Sequence, residues 1–371
     1  MDKKKIVWIT PDCFYDVDWP IVNRLVEFYD IRWYCIWNSK SLREIPVNAN
    51  VFRIIQLKDR YRSLKNISIY ISLLKEIKSF NPTIIYNGFG GRPYFFPLLF
   101  HYFDKKDVIF EGHEIDPKVS AYSNLISDSY IRYYLRRVGL TQVFSKHSEK
   151  QFHELYPNQK CTYIPMVPKD YGMPCNLIEH GNRKVFLFFG GIRSNKRFDI
   201  LLDAFLKLDS KHSEKAELWV YGNASPEEID KYTSMAVGHE NIILKLRFVP
   251  DDMVANLFCS STYLVLPYER ITQSGPMMIA YNYNTPLIGS NIAGFKERIK
   301  DGENGYLFKN GDVADLKRLL EQCIDQDDEE YNRIKRNSMR FVDEEYSPKV
   351  VIRRYREMLD QRTSELSKGT K

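Results

Sequence analysis

Two glycines and two cations follow one apolar run in the second half of the chain. Residues 185–189 are apolar, Gly190 and Gly191 come next, and Arg193 and Lys196 then lie three residues apart. Such a run predicts a buried strand. Glycine lets a ligand approach the backbone, and Arg and Lys donate charge-assisted hydrogen bonds to phosphate oxygens. The pattern indicates a phosphate site, and a solvated basic loop is its alternative.

A second loop of small residues follows the apolar run at residues 263–266 and ends at Pro276. Ser or Gly directly before Pro is typical of a helix start. The amino end of a helix presents unpaired N–H groups and a positive dipole end, both of which attract phosphate. An ordinary strand-to-helix turn is the alternative. The residues predicted to surround a phosphate here are Thr272, Gln273, Ser274 and Gly275.

Strand and helix patterns alternate along the whole chain. Such alternation predicts α/β architecture with parallel sheets that are covered on both faces. The strands are predicted at residues 6–10, 31–37, 51–57, 82–86, 107–110, 140–145, 162–165, 185–189, 217–221, 242–248, 263–266 and 287–288. The helices are predicted at residues 20–29, 63–80, 199–208, 226–237, 253–258, 276–283, 313–325 and 347–359, before a disordered tail from residue 361.

The chain is long enough for two domains. It has 371 residues, and Pro, Gly and Asn cluster within residues 169–183, which is typical of a joint. The segment at residues 190–205 resembles the opening of the donor domain in glycosyltransferase family 4. Residues 286–290, 293–297 and 301–308 resemble later motifs of that domain in the same order, so the similarity covers roughly residues 185–325.

The resemblance implies an α/β GT-B fold: two Rossmann-like parallel-sheet domains that face a central cleft. Residues 1–170, completed by a C-terminal helix at 346–360, would bind the acceptor, and residues 171–345 would bind the donor. It also implies a retaining glycosyltransferase that needs no metal or other cofactor. The enzyme would move a sugar from a UDP- or GDP-sugar to a glycan or lipid-linked acceptor in cell-surface polysaccharide or glycoconjugate synthesis.

The resemblance also implies roles for individual residues. Arg193 and Lys196 would neutralise the diphosphate leaving group, and His113, which follows a predicted strand end, would assist the acceptor or bind the donor sugar. A hydrogen-bonded structural histidine is the alternative for His113. The residues expected to bind the donor are Gly190, Gly191, Phe248, Val249, Glu269, Thr272, Gln273, Ser274, Gly275 and Glu297.

One departure from the family concerns the donor sugar. The family places a pair of glutamates eight residues apart, at positions that correspond to Ile271 and Ile279 here. Glu269 could substitute for the first. A subset of family 4-like enzymes has a Thr-Gln-Ser-Gly stretch instead, and this chain resembles that subset. Phosphate binding is therefore expected, whereas recognition of sugar and ribose must rest on other residues.

Acidic residues follow the first predicted strand. Asp16 and Asp18 lie in the stretch where family members have a glycine-rich loop, and either could hold an acceptor hydroxyl. A solvated loop or a helix cap is the alternative for each. A basic helix with an aromatic and apolar face at residues 53–80 could lie on an anionic membrane surface. A buried apolar face opposite solvated cations explains the same pattern.

Composition limits the other classes. Six cysteines are scattered without a metal-ligand spacing, which fits a reducing compartment. The apolar run near the N-terminus is too short for a signal peptide, so we expect a cytoplasmic protein, with membrane contact only at the inner surface. A net charge of +6 with no recognition motif argues against nucleic acid.

Two alternative functions stay open at the level of sequence. A non-catalytic GT-B protein that binds a nucleotide or a partner would explain the missing glutamates, but an inactive scaffold has no reason to keep two phosphate-binding cations. A GT-B epimerase that acts on a nucleotide sugar would need carboxylates in the donor site, where this chain has few.

Overall fold

The computed structural model describes residues 3–38, 51–90, 92–113, 115, 125–271 and 273–368. The chain divides into two compact units, residues 1–167 with 348–371, and residues 168–347. Each unit is built on one parallel sheet, so the predicted α/β class is confirmed. No helix among these residues has both the length and the apolar character that crossing a bilayer requires.

The first unit contains a seven-stranded parallel sheet in the order β3-β2-β1-β4-β5-β6-β7. Its strands are β1 Lys5–Pro11, β2 Asp30–Trp37, β3 Phe52–Gln56, β4 Ile84–Asn87, β5 Val108–Glu111, β6 Leu140–Val143 and β7 Cys161–Tyr163. Its helices are α1 Tyr15–Leu25, α2 Ile67–Phe80, α3 Phe95–Tyr102, α4 Leu125–Leu135, α5 Lys146–Leu155 and, from the end of the chain, α14 Pro348–Lys368.

Both faces of this sheet are buried, which explains the almost continuous apolar character of β1. Val7 and Ile9 point into one core with α2 and α3. Ile6 and Trp8, the alternate residues, point into the other core with α1 and α14. The period-two alternation of side chains thus supplies two cores from one strand.

The last helix differs from its prediction in length. We expected helix to residue 359 and disorder from 361, but α14 continues to Lys368. Arg362 donates to the carbonyl of Lys106 and pairs with Glu365, which also pairs with Lys160 at 2.8 Å. These contacts with the segments before β5 and β7 help to stabilise a mostly polar end of the helix, whose Leu366 packs against the core.

The basic helix α2 packs its apolar face into the first unit. Tyr70, Leu73, Leu74 and Ile77 on this helix are buried. That face is therefore not available to a lipid bilayer, and the amphipathic insertion considered for residues 53–80 is corrected. Cations of this region such as Lys58 and Arg60 lie at the surface, as the alternative interpretation expected.

The second unit contains a six-stranded parallel sheet in the order β10-β9-β8-β11-β12-β13. Its strands are β8 Lys184–Phe189, β9 Ala216–Tyr221, β10 Ile242–Lys245, β11 Tyr263–Leu266, β12 Leu287–Ser290 and β13 Gly305–Phe308. Its helices are α6 Phe198–Leu206, α7 Ser210–Ser213, α8 Pro226–Met235, α9 Asp251–Ser260, α10 Gly275–Tyr283, α11 Ala293–Lys296, α12 Val313–Asp325 and α13 Asp328–Tyr346.

The strand order reverses once in each sheet. In the second unit the chain runs outward from β8 to β10 and then returns to place β11 on the other side of β8. In the first unit the same reversal lies between the neighbouring strands β1 and β4. Ligands of open α/β sheets bind beyond the carboxyl ends of the strands at such a reversal. Each unit therefore has one preferred location for a binding site.

Candidate functional site

The loop after β8 begins with a glycine that cannot be replaced without a rearrangement. Gly190 has a φ of 103°, and its N–H donates to the carbonyl of Tyr221 at 2.8 Å. A Cβ at Gly190 would lie 2.9 Å from Nζ of Lys196 and 3.6 Å from Cγ of Pro276. The glycine loop, the lysine and the first turn of α10 therefore meet at one point.

A third glycine, which the sequence analysis did not select, makes this close approach possible. A Cβ at Gly222, after β9, would lie 2.2 Å from the carbonyl oxygen of Gly190. No side chain fits at that distance, because the clash is with backbone. Its position directly after the apolar strand β9 was the available sequence signal.

Lys196 is a cation in an environment that disfavours charge. Burial and the neighbouring positive charge of Arg193 lower the pKa of Lys196 from 10.5 to about 8. Its Nζ also lies 5.6 Å from the centre of the Tyr268 ring, within the range of a cation–π contact. Two adjacent cations of this kind are costly unless an anion binds between or beside them.

Arg193 and Lys196 differ from the next cation along the chain in their surroundings. Among the residues that the structure describes, no carboxylate lies within ion-pair distance of Arg193 or Lys196. The next cation along the chain, Arg197, behaves differently, because its guanidinium binds Asp199 at 3.0 Å. The first two positive charges are therefore available to a ligand, whereas Arg197 has a structural partner.

Helix α10 begins beside these cations. Its N-cap is Ser274, whose Oγ accepts a hydrogen bond from the N–H of Met277 at 3.2 Å, and Pro276 occupies the first turn. The serine hydroxyl is thus used as a cap, and the helix end can offer an anion only its backbone N–H groups. Gly275 has open space where a side chain would stand. Thr272 lies outside the described residues.

An apolar cavity of about 300 Å³ lies at the carboxyl ends of β9 and β10. Backbone hydrogen bonds connect the glycine loop with this cavity, since Gly190 donates to Tyr221 and Gly222 donates to Lys245 at 3.2 Å. Phe248 is 62% exposed at the cavity. The lining residues are Tyr221, Lys245, Arg247, Phe248, Val249, Pro250 and Met253.

The two glutamates predicted to bind the donor lie in different surroundings. Glu269 is exposed, and its backbone N–H donates to the carbonyl of Asn195 at 3.0 Å, in the loop that carries Lys196. Glu297 is mostly buried and pairs with Arg298 at 2.8 Å. Glu269 is thus held near the phosphate-binding loop, whereas Glu297 is engaged with a buried arginine.

The two isoleucines at the positions of the family glutamates serve packing. Ile279 is buried in α10. Ile271 lies against α11, where a Cβ at Gly294 would stand only 2.7 Å from Cγ2 of Ile271. A carboxylate at either position would disturb these contacts.

In the first unit, the structure separates the two acceptor-binding candidates. Asp18 is buried in α1, where Trp8 Nε1 donates to it at 2.9 Å and the Thr10 hydroxyl also donates. Burial, and then the charge of Glu111, raise the pKa of Asp18 well above its ordinary value. Asp18 therefore belongs to the core and does not face a substrate, whereas Asp16 is only partly buried.

His113 follows β5, at the carboxyl edge of the first sheet. Its Nε2 lies 2.6 Å from Oε1 of Glu111, the last residue of that strand. The ring is stacked on Phe14, with centroids 4.1 Å apart. The site residues thus form one group in the second unit and another in the first.

The group in the second unit lies within a segment that a family model matches. Residues 183–326 match the model of Glycosyl transferases group 1. The matched segment contains the glycine loop, both cations and the start of α10. No curated protein matches the chain.

Solved structures resemble the chain over nearly its whole length. A sucrose-phosphate synthase from Thermosynechococcus elongatus has a TM-score of 0.77 at 13% identity, covering 97% of this chain and 99% of its own. A glycosyltransferase from Rickettsia africae has a TM-score of 0.73 at 16% identity, covering 99% and 100%. Anabaena Alr3699/HepE in complex with UDP-glucose has a TM-score of 0.68 at 13% identity, covering 96% and 99%. The fold is therefore GT-B, as predicted.

Proposed function

We propose that this protein is a glycosyltransferase that transfers a sugar from a nucleotide diphosphate sugar to a hydroxyl acceptor. The observation that carries the proposal is the pair of cations, Arg193 and Lys196, which no carboxylate among the described residues neutralises. They lie beside a helix amino end, at the strand reversal where α/β sheets bind ligands. A diphosphate has the charge and the size for this place.

The chemistry follows from where charge develops in the reaction. When the bond between the sugar and the diphosphate breaks, negative charge accumulates on the leaving phosphate oxygen. Lys196, Arg193 and the backbone N–H groups of α10 are fixed before the reaction, so they stabilise that charge without reorganising. In this proposal the protein's own cations balance the leaving group, and the transfer is metal-independent and retaining, as in glycosyltransferase family 4.

The nucleoside would extend from the diphosphate toward the apolar cavity beyond β9 and β10. Phe248 and Val249 would contact the base, and the glycine loop would leave room for the ribose and the phosphates. The Anabaena neighbour has been solved with UDP and with UDP-glucose. UDP-sugars are therefore the first donors to test, followed by GDP-sugars.

Recognition of the sugar would rest on a different carboxylate from the family pair. Glu269 is the nearest candidate, because its backbone is bonded to the loop of Lys196 and its side chain is exposed. Glu297 would have to leave Arg298 to take this role. We assign donor-sugar contact to Glu269 and place the chain in the subset with the Thr-Gln-Ser-Gly stretch.

The acceptor would be a glycan or a lipid-linked glycan, bound by the first unit near His113 and Asp16, and the product would belong to a cell-surface polysaccharide or glycoconjugate. We propose a cytoplasmic enzyme that contacts the inner membrane face through exposed cations such as Lys58 and Arg60. These charges could attract an anionic surface without insertion of α2.

Release of UDP from UDP-sugars tests the enzymatic claim. With purified protein, a panel of UDP-sugars and a mixture of lipid-linked glycans, we expect UDP release that stops in Arg193→Met and Lys196→Met. Tight binding of UDP with no release from any sugar or acceptor would favour the alternative, a non-catalytic GT-B protein that binds nucleotides. The loss of the two family glutamates is the observation that favours that alternative.

A further inference from the structure

The imidazole of His113 is held on both faces by aromatic rings. Phe14 stacks at 4.1 Å with an interplanar angle of 13°, and Phe144 stacks at 5.0 Å with an angle of 21°. The side chain is 22% exposed, so one part of the ring reaches the surface of the unit. Stacking fixes the plane of the ring but leaves its rotation within that plane to polar contacts.

Glu111, the last residue of β5, supplies such a polar contact to His113. Its Oε1 lies 2.6 Å from Nε2 of His113, and its side chain is 2% exposed. Its other oxygen, Oε2, is buried and has no hydrogen-bond partner among the described residues. A carboxylate that makes one contact in a buried place costs stability. Packing alone therefore gives no reason for a glutamate at this position.

The unpartnered oxygen lies over the strand reversal of the first sheet. A Cβ at Gly88, the residue after β4, would lie 2.6 Å from Oε2 of Glu111. The N–H of Gly88 donates to the carbonyl of Ile9 in β1 at 2.8 Å. The carboxylate of Glu111 therefore lies at the carboxyl ends of the neighbouring strands β1 and β4. The absence of a side chain at Gly88 makes room for the carboxylate at the preferred ligand location of this unit.

A second buried acid, Asp18, lies near Glu111. Burial, and then the charge of Glu111, raise the pKa of Asp18 well above its ordinary value. Asp18 is bonded to Trp8 and Thr10, so of the two acids it is Glu111 that contacts the imidazole, with Oε1 2.6 Å from Nε2. A carboxylate this close to one ring nitrogen favours the tautomer in which that nitrogen carries the proton.

We propose that Glu111 is a positioning residue that holds His113 in one orientation and one tautomer toward a hydroxyl of the sugar substrate. The inference rests on the proposed glycosyltransferase function and deepens it by assigning roles to Glu111 and Gly88. Glu111 does not touch the substrate, and it acts through the ring. His113 then meets the hydroxyl without first losing rotational freedom, which is how orientation lowers a barrier.

The test compares Glu111→Gln with Glu149→Gln, an equivalent change in the same unit at a carboxylate that accepts from the backbone of Tyr163 at 3.0 Å. With UDP-glucose as the probe, we expect Glu111→Gln to lower kcat for UDP release by up to about 100-fold. KM should change little, and Glu149→Gln should match the wild type. The double variant Glu111→Gln with His113→Gln should be no slower than His113→Gln alone.

Nitrogen NMR of the imidazole rings gives a readout that does not require turnover. The chain has 7 histidines, and the His113 ring is assigned by its loss in His113→Gln. We expect one tautomer, protonated at Nε2, in the wild type and a mixture in Glu111→Gln and in Gly88→Ala. The proposal would be overturned if the tautomer of His113 were unchanged in Glu111→Gln. It would also be overturned if the losses in kcat caused by Glu111→Gln and His113→Gln multiplied in the double variant.

The two proposals fail in distinguishable ways. If the wild-type protein binds no nucleotide, the proposed function fails, while the ring spectrum still shows whether Glu111 sets the tautomer. If nucleotide binding and turnover are present but Glu111→Gln changes neither kcat nor the tautomer of the His113 ring, only the role of Glu111 is refuted.

Discussion

Binding of a diphosphate should take up a proton at Lys196, and this linkage is open to direct measurement. The lowering of its pKa from 10.5 to about 8 corresponds to about 3 kcal/mol of penalty on the charged form. A bound diphosphate offsets this penalty, because it supplies the missing negative charge beside the ammonium. The pKa of Lys196 in the complex should therefore rise above its value in the free protein.

The sign of the pH dependence follows from that difference. Near pH 7 the ammonium is charged in the free protein and in the complex, so affinity for UDP depends little on Lys196 titration there. Above pH 8 the free protein loses the proton and must regain it on binding, so affinity falls. With a pKa of about 8, the charged fraction is about ten-fold smaller at pH 9 than at pH 7, and the Kd should rise by about ten-fold.

Calorimetric titration with UDP at pH 7 and pH 9, in buffers of different ionisation enthalpy, measures both quantities. We expect nearly one proton taken up per UDP at pH 9, and almost none at pH 7. Phosphate groups are fully ionised at pH 9, since their second pKa is near 6. Lys196→Met should bind weakly with no proton uptake, and Lys207→Met, at an exposed lysine paired with Asp203, should match the wild type.

A Kd for UDP that is the same at pH 7 and pH 9 in the wild-type protein would exclude proton uptake by Lys196 on binding. Such a result would mean either that Lys196 is not desolvated before binding or that the diphosphate lies elsewhere.

Three other predictions concern different parts of the chain. Arg193→Met should raise the barrier to UDP release by about 2–4 kcal/mol, measured as kcat, because it removes a fixed donor to the leaving group; an unchanged kcat would exclude that role. His212, whose pKa is raised above 6.5 by its hydrogen bond to Asp325 and by Asp209, stabilises the fold at low pH, and this contribution is lost as pH rises through the raised pKa. His212→Gln should therefore lower the Tm at pH 6 more than at pH 9, and equal losses at both would contradict the pairing. Changing Lys58, Arg60 and Arg62 to Glu should release the protein from anionic vesicles in a sedimentation assay, whereas vesicle binding that persists would exclude these cations as the membrane contact.

Many of the strands, the glycine loop after β8 and the start of α10 could be predicted because their signals are local. The apolar residues 185–189 predict a buried strand whichever strands lie beside it. Glycines directly after a parallel strand lie at its carboxyl end, where ligands bind. The helix start at Gly275 and Pro276 was visible for the same reason. These features needed no knowledge of which strands become neighbours.

Features that depend on tertiary contacts were not predictable in this way. Asp18 resembled a loop acid, but the indole of Trp8 and the hydroxyl of Thr10 make it a core residue. Helix α13 has only three buried residues, Ile334, Ser338 and Tyr346, so few apolar residues in its sequence mark it as part of the core. The end of α14 is stabilised by ion pairs with distant parts of the first unit.

Glu111 is an intermediate case. It ends an otherwise apolar strand, and this change from apolar to acidic can be seen in the sequence. Its proposed role, however, depends on Gly88 and on the strand reversal beside it. Only the sheet order shows that these three features meet. A polar residue at the end of a buried strand is therefore best judged after the topology is known.

The central claim is that the second unit binds a nucleotide diphosphate through Arg193 and Lys196. Calorimetric titration with UDP, GDP and their sugar conjugates, first without metal and then with Mg²⁺, tests it most directly. We expect binding of one diphosphate at micromolar concentration, equal with and without the metal, and lost in Lys196→Met. No binding of any of these compounds, or binding that Lys196→Met leaves unchanged, would contradict it.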